Sequence, residues 1–263
     1  MDPKYRFDDG MAYDNFMGRW SRAAGAIFLD WVAPSPGARW LDVGCGTGTF
    51  TELIVETCSP ASVFAIDPER AQIDHARHRP VAEHASFSVA DAQALPFEDS
   101  SFDIVASGLV LNFIPDPVRA LLEMLRVTGS AGSVAGYVWD FAAELSPTWP
   151  LRLGLRQLGG SVIPTPGTAY SSLNALKSLF DGNGLERVAT RSVEVRMQFA
   201  DFDEFKATQM PSFSPIVREI AMLKKEDRTK LIDFVRSEVT CPDGKIAYSA
   251  RANAVRGQVR SKR

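Results

Sequence analysis

Short apolar runs alternate with amphipathic stretches between residue 37 and about residue 139. Each run is nearly continuous in apolar residues, which is typical of strands buried on both faces of a parallel sheet. The stretches between the runs have helical spacing, and two of them begin at Asp67-Pro68 and Asp116-Pro117, which are good helix starts. The pattern predicts strands at 39–43, 62–67, 85–90, 102–107 and 132–139.

The pattern is less regular in the rest of the chain. Residues 21–32, ahead of the first strand, predict one amphipathic helix. The segment 146–167 is rich in proline and glycine, and we expect it to form an irregular lid. Two later stretches with alternating apolar residues, 185–199 and 244–259, predict strands that pair antiparallel at the far edge of the sheet.

These elements predict an α/β fold. The sheet is expected to be doubly wound and Rossmann-like, with seven strands that are mostly parallel and one antiparallel edge strand. We expect an N-terminal helical cap over residues 1–36 and a main domain over residues 37–263. Lid insertions into that domain are expected at about 140–168 and 200–243.

Composition narrows the classes of function. The 263 residues are 45% hydrophobic and 23% charged, which suits one large globular domain. The net charge is −3 and basic residues are scattered outside the last eight positions, so we expect no nucleic-acid partner. No apolar run approaches a membrane span and the N-terminus is polar, so we expect a cytoplasmic protein with no membrane partner. The three cysteines lack metal-ligand spacing, and no metal site is predicted.

Three glycines stand within five positions after the first predicted strand: Gly44, Gly46 and Gly48. A strand that ends in a glycine turn and opens a helix aims backbone N–H groups at a ligand. The dinucleotide pattern G-x-G-x-x-G needs glycine where this chain has Thr49. Asp42 would repel a pyrophosphate, but it suits a ligand with a positive centre. A nucleotide-dependent oxidoreductase is therefore disfavoured.

On this loop and on the string "ADAQALPFEDSSFDIVAS" (90–107), residues 40–139 resemble the class I S-adenosylmethionine-dependent methyltransferases of the small-molecule type. The resemblance implies S-adenosylmethionine as cofactor and S-adenosylhomocysteine as product. It implies that Asp67 binds the ribose and that Asp91, with the backbone of Ala92, contacts the adenine. Asp67 is also a good helix cap and Asp91 is a common turn residue, so a purely structural role is the alternative interpretation for each. The residues expected to bind the cofactor are Asp42, Gly44, Cys45, Gly46, Asp67, Pro68, Asp91, Ala92, Ser107, Gly108 and Arg19.

Methyl transfer is an in-line displacement at a carbon that the sulfonium already activates, so the protein's main task is to align an acceptor lone pair. The resemblance implies a small-molecule acceptor that is methylated on O, N or C. Asn112 stands where related enzymes often have histidine, and an amide cannot act as a general base near neutral pH. An accessory protein that binds the cofactor with weak turnover is the alternative. The sequence does not identify the catalytic residues, and the candidates are Asn112, Trp139, Asp140 and Tyr13.

Overall fold

The computed structural model describes residues 14–160, 165, 167–212 and 214–260. Seven strands form one sheet in the order β3-β2-β1-β4-β5-β7-β6. Strands β1 to β5 are parallel, whereas β7 runs antiparallel to both of its neighbours, β5 and β6. The strands are β1 (Arg39–Val43), β2 (Ser62–Asp67), β3 (Ser86–Val89), β4 (Phe102–Gly108), β5 (Thr128–Trp139), β6 (Glu186–Phe199) and β7 (Ile246–Gln258).

The predicted fold class is confirmed, and the seven predicted strands are present. The antiparallel strand is β7, which is inserted next to the edge, so β6 is the edge strand of an antiparallel pair. Strand β5 begins at Thr128, four residues earlier than predicted. The sequence did not predict this start because Gly129 and Gly132 are typical of a turn. In the structure, Thr128 pairs with Phe102 of β4, and the register shifts after this pair.

Helices cover both faces of the sheet. A short π-helical turn, Asp14–Gly18, leads into the first of them. In the part of the chain that the structure describes, the α-helices are α1 (Arg19–Val32), α2 (Thr49–Cys58), α3 (Arg70–Ala76), α4 (Pro117–Val127), α5 (Trp149–Gln157), α6 (Leu173–Asp181), α7 (Phe202–Gln209), α8 (Pro215–Ala221) and α9 (Lys225–Val239). None of the described helices is long and apolar enough to cross a bilayer.

Alternate residues of the central strands supply two separate cores. Trp40 and Tyr137 pack on one face with residues of α1 and α2. Leu41, Val105 and Val138 pack on the other face with residues of α4 and α6. Because successive side chains of a strand point to opposite faces, both sets must be apolar, which produced the continuous apolar runs of the sequence.

The segment expected to be an irregular lid contains a helix, so that expectation is wrong for Trp149–Gln157. Pro150 occupies the first turn of α5, where proline is tolerated because the N–H groups there have no partner within the helix. Gly154 lies against α9, since a Cβ at this position would be 3.1 Å from Leu231 and from Val235. Here the proline begins a helix and the glycine lets that helix pack closely, so neither residue marks a loop.

The ring of Phe28 should contribute strongly to stability. It is fully buried, and its centroid lies 4.6 Å from that of Tyr137 and 5.9 Å from that of Phe50. We expect Phe28→Ala to lower the free energy of unfolding by about 3–5 kcal/mol, because it leaves a cavity in the core. Leu122, which is half exposed on α4, provides the control, and Leu122→Ala should cost less than about 1 kcal/mol. Urea unfolding followed by circular dichroism measures both, and equal losses would contradict this packing.

Candidate functional site

A cavity of about 260 Å³ opens at the carboxyl ends of the parallel strands. Its walls come from five places along the sheet, because loops that follow neighbouring parallel strands meet at one edge. Two residues of the N-terminal region, Gly18 and Ser21, complete the lining. The sheet-side lining residues are Gly44–Thr47, Thr49 and Phe50 after β1, Ile66–Glu69 and Gln72 at β2, Ala90–Gln93 after β3, Gly108–Val110 and Phe113–Pro115 after β4, and Tyr137 of β5.

The glycine loop folds back onto the end of β2. Gly44, Gly46 and Gly48 have φ values of +80°, +52° and +88°, which L side chains rarely adopt. The N–H groups of Gly44 and Cys45 both donate to the carbonyl of Ile66, at 2.8 and 2.9 Å. The N–H of Gly46 donates to Asp67, and that of Gly48 donates to the carbonyl of Cys45. The expectation that the loop aims free N–H groups at a ligand is therefore wrong at these four positions.

Asp67 ties the glycine loop to β2. Its Oδ2 accepts from the Gly46 N–H at 3.0 Å, and its Oδ1 accepts from the Glu69 N–H at 2.9 Å. Burial raises the pKa of Asp67, and these two hydrogen bonds offset part of that rise. A carboxylate has about four acceptor sites, so Asp67 can accept further hydrogen bonds from hydroxyl groups in the cavity that it lines.

Asp91 and Ala92 line the cavity in the turn that follows β3. The Asp91 carboxylate accepts from the backbone N–H of Gln93 at 2.8 Å and from its side-chain amide at 3.1 Å. It therefore holds the turn while its other acceptor sites stay accessible to a ligand. The cavity is also lined by five other residues that the sequence predicts to bind the cofactor: Pro68, Gly44, Cys45, Gly46 and Gly108.

Asp42 is fully buried behind the glycine loop and does not line the cavity. Its Oδ2 accepts from the Thr51 hydroxyl of α2 at 2.6 Å, whereas its Oδ1 has no hydrogen-bond partner among the described residues. Burial raises the pKa of Asp42 to about 7; the Thr51 hydrogen bond lowers it and the nearby charge of Asp67 raises it. The thiol of Cys45, also in the loop, has its pKa raised by burial and by the same two carboxylates.

The ionisable side chains that line the cavity are acidic. Asp67, Glu69 and Asp91 line it, and no lysine, arginine or histidine is present among its described lining residues. Asp42 adds a further acidic group behind the loop. Such a lining attracts a ligand with a positive centre and repels a phosphate or pyrophosphate. The residues present thus fit a cationic nucleoside ligand better than a dinucleotide.

Besides Asp42, two further residues expected to bind the cofactor do not reach the cavity. The Arg19 guanidinium forms an ion pair with Glu204 at 2.9 Å and donates to the carbonyl of Gln198, so α7 and β6 hold it away. Ser107 is fully buried in β4, and its Oγ has no hydrogen-bond partner among the described residues. Its neighbour Gly108 does line the cavity, where a Cβ would lie 3.1 Å from the ring of Tyr137.

The three catalytic candidates that the structure describes also lie outside the cavity. Asn112 and Trp139 are buried and do not line the cavity; Trp139 packs edge-on against Trp20, with centroids 6.3 Å apart. Asp140 forms an ion pair with Arg251 of β7 at 2.7 Å and accepts from the Ala143 N–H, so it orders the loop after β5. Tyr13 lies outside the described residues.

The cavity wall contains residues that the sequence analysis missed. Tyr137 lies two positions before Trp139 on the same face of β5, so the period of two in a strand would have identified it. Phe50 at the start of α2 and Phe113 after β4 are apolar and carried no signal beyond core packing. Ser21 of α1 presents a buried Oγ that has no hydrogen-bond partner in the described part of the chain.

Part of the chain that builds this site is similar to known methyltransferases. Residues 41–136 match the family model described as a methyltransferase domain. The chain is similar to the demethylmenaquinone methyltransferase of Renibacterium salmoninarum, with 35% identity over 132 residues, or 50% of this chain and 52% of that protein. It is 36% identical to the malonyl-[acyl-carrier protein] O-methyltransferase of Methylococcus capsulatus over 117 residues, or 43% of this chain and 42% of that protein. The chain thus spans about half the length of these curated relatives.

A solved structure shares the fold over nearly the whole chain. Phosphoethanolamine N-methyltransferase 2 of Haemonchus contortus, in complex with S-adenosyl-L-methionine, superposes with a TM-score of 0.59 at 18% identity. The alignment covers 99% of this chain and 59% of that one. At this identity the likeness supports the fold, and it adds no assignment of individual residues.

Asp42 should make stability fall as pH rises. In the unfolded chain this carboxyl loses its proton near its ordinary pKa of 3.8, whereas the folded protein keeps the proton until about pH 7. Between these values the folded state binds more protons, so the free energy of unfolding decreases with pH. From pH 5 to pH 8, the free energy of unfolding of the wild-type protein should fall by about 3 kcal/mol more than that of Asp42→Asn, in which position 42 does not titrate. Urea unfolding at several pH values measures this. Asp30→Asn, at an exposed aspartate, is the control and should follow the wild-type pH dependence. The prediction would be contradicted if the unfolding free energy of Asp42→Asn changed with pH in the same way as that of the wild type.

Proposed function

We propose that residues 41–136 form a class I methyltransferase domain of the S-adenosylmethionine-dependent family, and that the protein transfers a methyl group from S-adenosylmethionine to a small molecule. The observation that carries the proposal is the acidic cavity, whose described lining has three carboxylates and no basic side chain. S-adenosylmethionine has an ammonium and a sulfonium but no phosphate. Its charge therefore complements this lining, whereas the charge of a dinucleotide does not.

Each part of the cofactor has a corresponding set of residues in this proposal. Asp67 accepts hydrogen bonds from the ribose hydroxyls with the lone pairs that Gly46 and Glu69 leave accessible. Asp91 and the backbone of Ala92 recognise the adenine. The backbone between Gly44 and Gly46 lies beside the methionine part, because nothing lies within 4 Å of where a Gly46 side chain would be. Asp42, behind this loop, favours the positive end.

The bound cofactor supplies a methyl carbon that the sulfonium has already activated. The task of the protein is then to exclude water and to align the acceptor with that carbon, which can lower the barrier by about 7–11 kcal/mol. Phe50, Phe113 and Tyr137 supply apolar and aromatic walls for this purpose. The buried Oγ of Ser21 offers a hydrogen bond to a ligand at the α1 side of the cavity.

The acceptor that we propose is a modest-sized, partly apolar small molecule. The aromatic wall of the cavity supports this proposal, because such walls bind planar or apolar groups. The names of the two curated relatives, which refer to demethylmenaquinone and to malonyl-[acyl-carrier protein], support methylation outside nucleic acids. Methyl transfer to O, N or C is compatible with this cavity.

Removal of the Asp67 carboxylate should weaken cofactor binding. We expect Asp67→Ala to raise the Kd for S-adenosylhomocysteine about 10- to 100-fold, because hydrogen bonds to a charged acceptor contribute about 1.5–3 kcal/mol. Asp74→Ala, at an exposed aspartate of α3, is the control and should leave the Kd unchanged. Isothermal titration calorimetry measures all three proteins. A wild-type chain that does not bind, or an unchanged Kd for Asp67→Ala, would overturn the cofactor site.

A thermal-shift comparison separates the two cofactor classes with the unmodified protein. S-adenosylhomocysteine should raise the Tm, because a ligand that binds only the folded state stabilises it. NAD at the same concentration should leave the Tm unchanged, because its pyrophosphate meets the carboxylates of the cavity. A larger shift with NAD would support an oxidoreductase instead.

Turnover distinguishes an enzyme from an accessory protein. With labelled S-adenosylmethionine and a panel of small quinols, carboxylates and amines, we expect one class of acceptor to gain a methyl group. Mass spectrometry detects the product and S-adenosylhomocysteine together. Tight binding of the cofactor without methyl transfer across the panel would favour the accessory role.

A further inference from the structure

The turn that follows β4, Leu109–Phe113, forms one wall of the cavity. Val110 and Phe113 line the cavity directly. The Leu109 N–H donates to the carbonyl of Tyr137 at 2.7 Å, and the Phe113 N–H donates to that of Val110 at 2.7 Å. Leu109 has a φ of +63°, a left-handed conformation that is unfavourable for leucine and persists only when its surroundings impose it. The shape of the cavity therefore depends on what holds this turn.

Three consecutive residues of the turn each rest on a glycine from a different part of the chain. A Cβ on Gly44 would lie 2.5 Å from the Val110 side chain, and one on Gly136 of β5 would lie 2.7 Å from the Leu111 side chain. A Cβ on Gly167 would lie 1.5 Å from the carbonyl oxygen of Asn112. In the first two cases the obstacle is a side chain, whereas at Gly167 it is the backbone of the turn itself, which rotamer changes cannot relieve.

The segment that carries Gly167 is fastened to the sheet. The Gly167 carbonyl accepts from the Tyr170 N–H at 2.9 Å, which closes a short 3₁₀ turn, Thr168–Tyr170. The next residue, Ser171, has a carbonyl that accepts from the buried Asn253 amide of β7 at 2.8 Å. Its hydroxyl donates to the Thr168 carbonyl and accepts from the Ala142 N–H. Gly167 therefore has little freedom to retreat from Asn112.

We infer that Gly167 is a positioning residue for the cofactor cavity: it has no side chain, so its segment presses directly on the Asn112 carbonyl and holds the Leu109–Phe113 wall in place. The inference rests on the proposed function for the identity of the ligand. It does not require Asn112 to touch that ligand. A side chain at Gly167 would displace the Asn112 backbone and carry Val110 and Phe113 with it, because the sheet holds the other side of the contact.

The test compares two glycine substitutions that impose similar backbone strain. Gly167 has a φ of +70° and Gly184, between α6 and β6, has a φ of +87°, but a Cβ on Gly184 would meet no atom within 4 Å. We expect Gly167→Ala to raise the Kd for S-adenosylhomocysteine about tenfold or more. Gly184→Ala should leave the Kd within about threefold of the wild-type value, since it adds the strain without the contact. Isothermal titration measures the Kd values, and urea unfolding shows that both variants fold.

The two possible failures are distinguishable. Wild-type protein that does not bind S-adenosylhomocysteine refutes the proposed function. Wild-type protein that binds it while Gly167→Ala binds equally well refutes the positioning role alone. Hydrogen exchange gives a readout that needs no ligand: the Phe113 amide should exchange faster in Gly167→Ala than in Gly184→Ala, and equal rates would overturn the inference.

If Gly167→Ala does not fold, a second pair of variants tests the same contact from the β7 side. Asn253→Ala removes the hydrogen bond to the Ser171 carbonyl and so unfastens the segment that carries Gly167. Ser192→Ala removes only the 3.3 Å hydrogen bond to Asn253 Oδ1 and is the matched control. Faster exchange of the Phe113 amide in Asn253→Ala than in Ser192→Ala supports the inference, and equal exchange overturns it.

Discussion

The attachment of the glycine loop to the end of β2 is the constraint on which the rest of the cavity depends. The Ile66 carbonyl accepts two loop N–H groups and the Asp67 carboxylate accepts a third. Three positive φ values let the chain turn back far enough to make these bonds. Four N–H groups of the loop, those of Gly44, Cys45, Gly46 and Gly48, are therefore already paired, so the cavity offers a ligand carboxylates more than an array of free N–H groups. This separates it physically from a phosphate-binding loop, which leaves such groups for the anion.

The same arrangement places acidic groups in a setting that destabilises their charge. Asp42 and Asp67 are largely removed from water, and burial raises the pKa of each. Ionisation of the buried Asp42 carboxyl therefore costs stability in the free protein. A cation in the cavity would reverse the balance, because it favours the ionised forms. Binding and protonation are thus linked through residues that stand behind the loop as well as in it.

The cavity wall that follows β4 packs against three glycines. Val110, Leu111 and Asn112 rest on Gly44, Gly136 and Gly167, which lie far apart in the chain. Each glycine lets its segment approach the turn after β4 more closely than any other residue would, so close packing as well as hydrogen bonds holds the turn in place. A wall of this kind transmits a change at the Gly167 segment directly to the residues that face the ligand.

The strands, the glycine loop and the acidic residues at the ends of β2 and β3 could be predicted from the chain alone, because each depends on a local pattern: apolar periodicity, turn chemistry and the position of a residue at a strand end. The rest depends on contacts between segments that are far apart in the chain. Arg19 and Asp140 are predicted site residues that do not reach the cavity. Arg19 forms an ion pair with Glu204, and Asp140 forms one with Arg251. Gly167 meets Asn112 because two segments that are distant in sequence pack together. A local pattern specifies what a residue can do, whereas its partner, often more than a hundred positions away, specifies what it does.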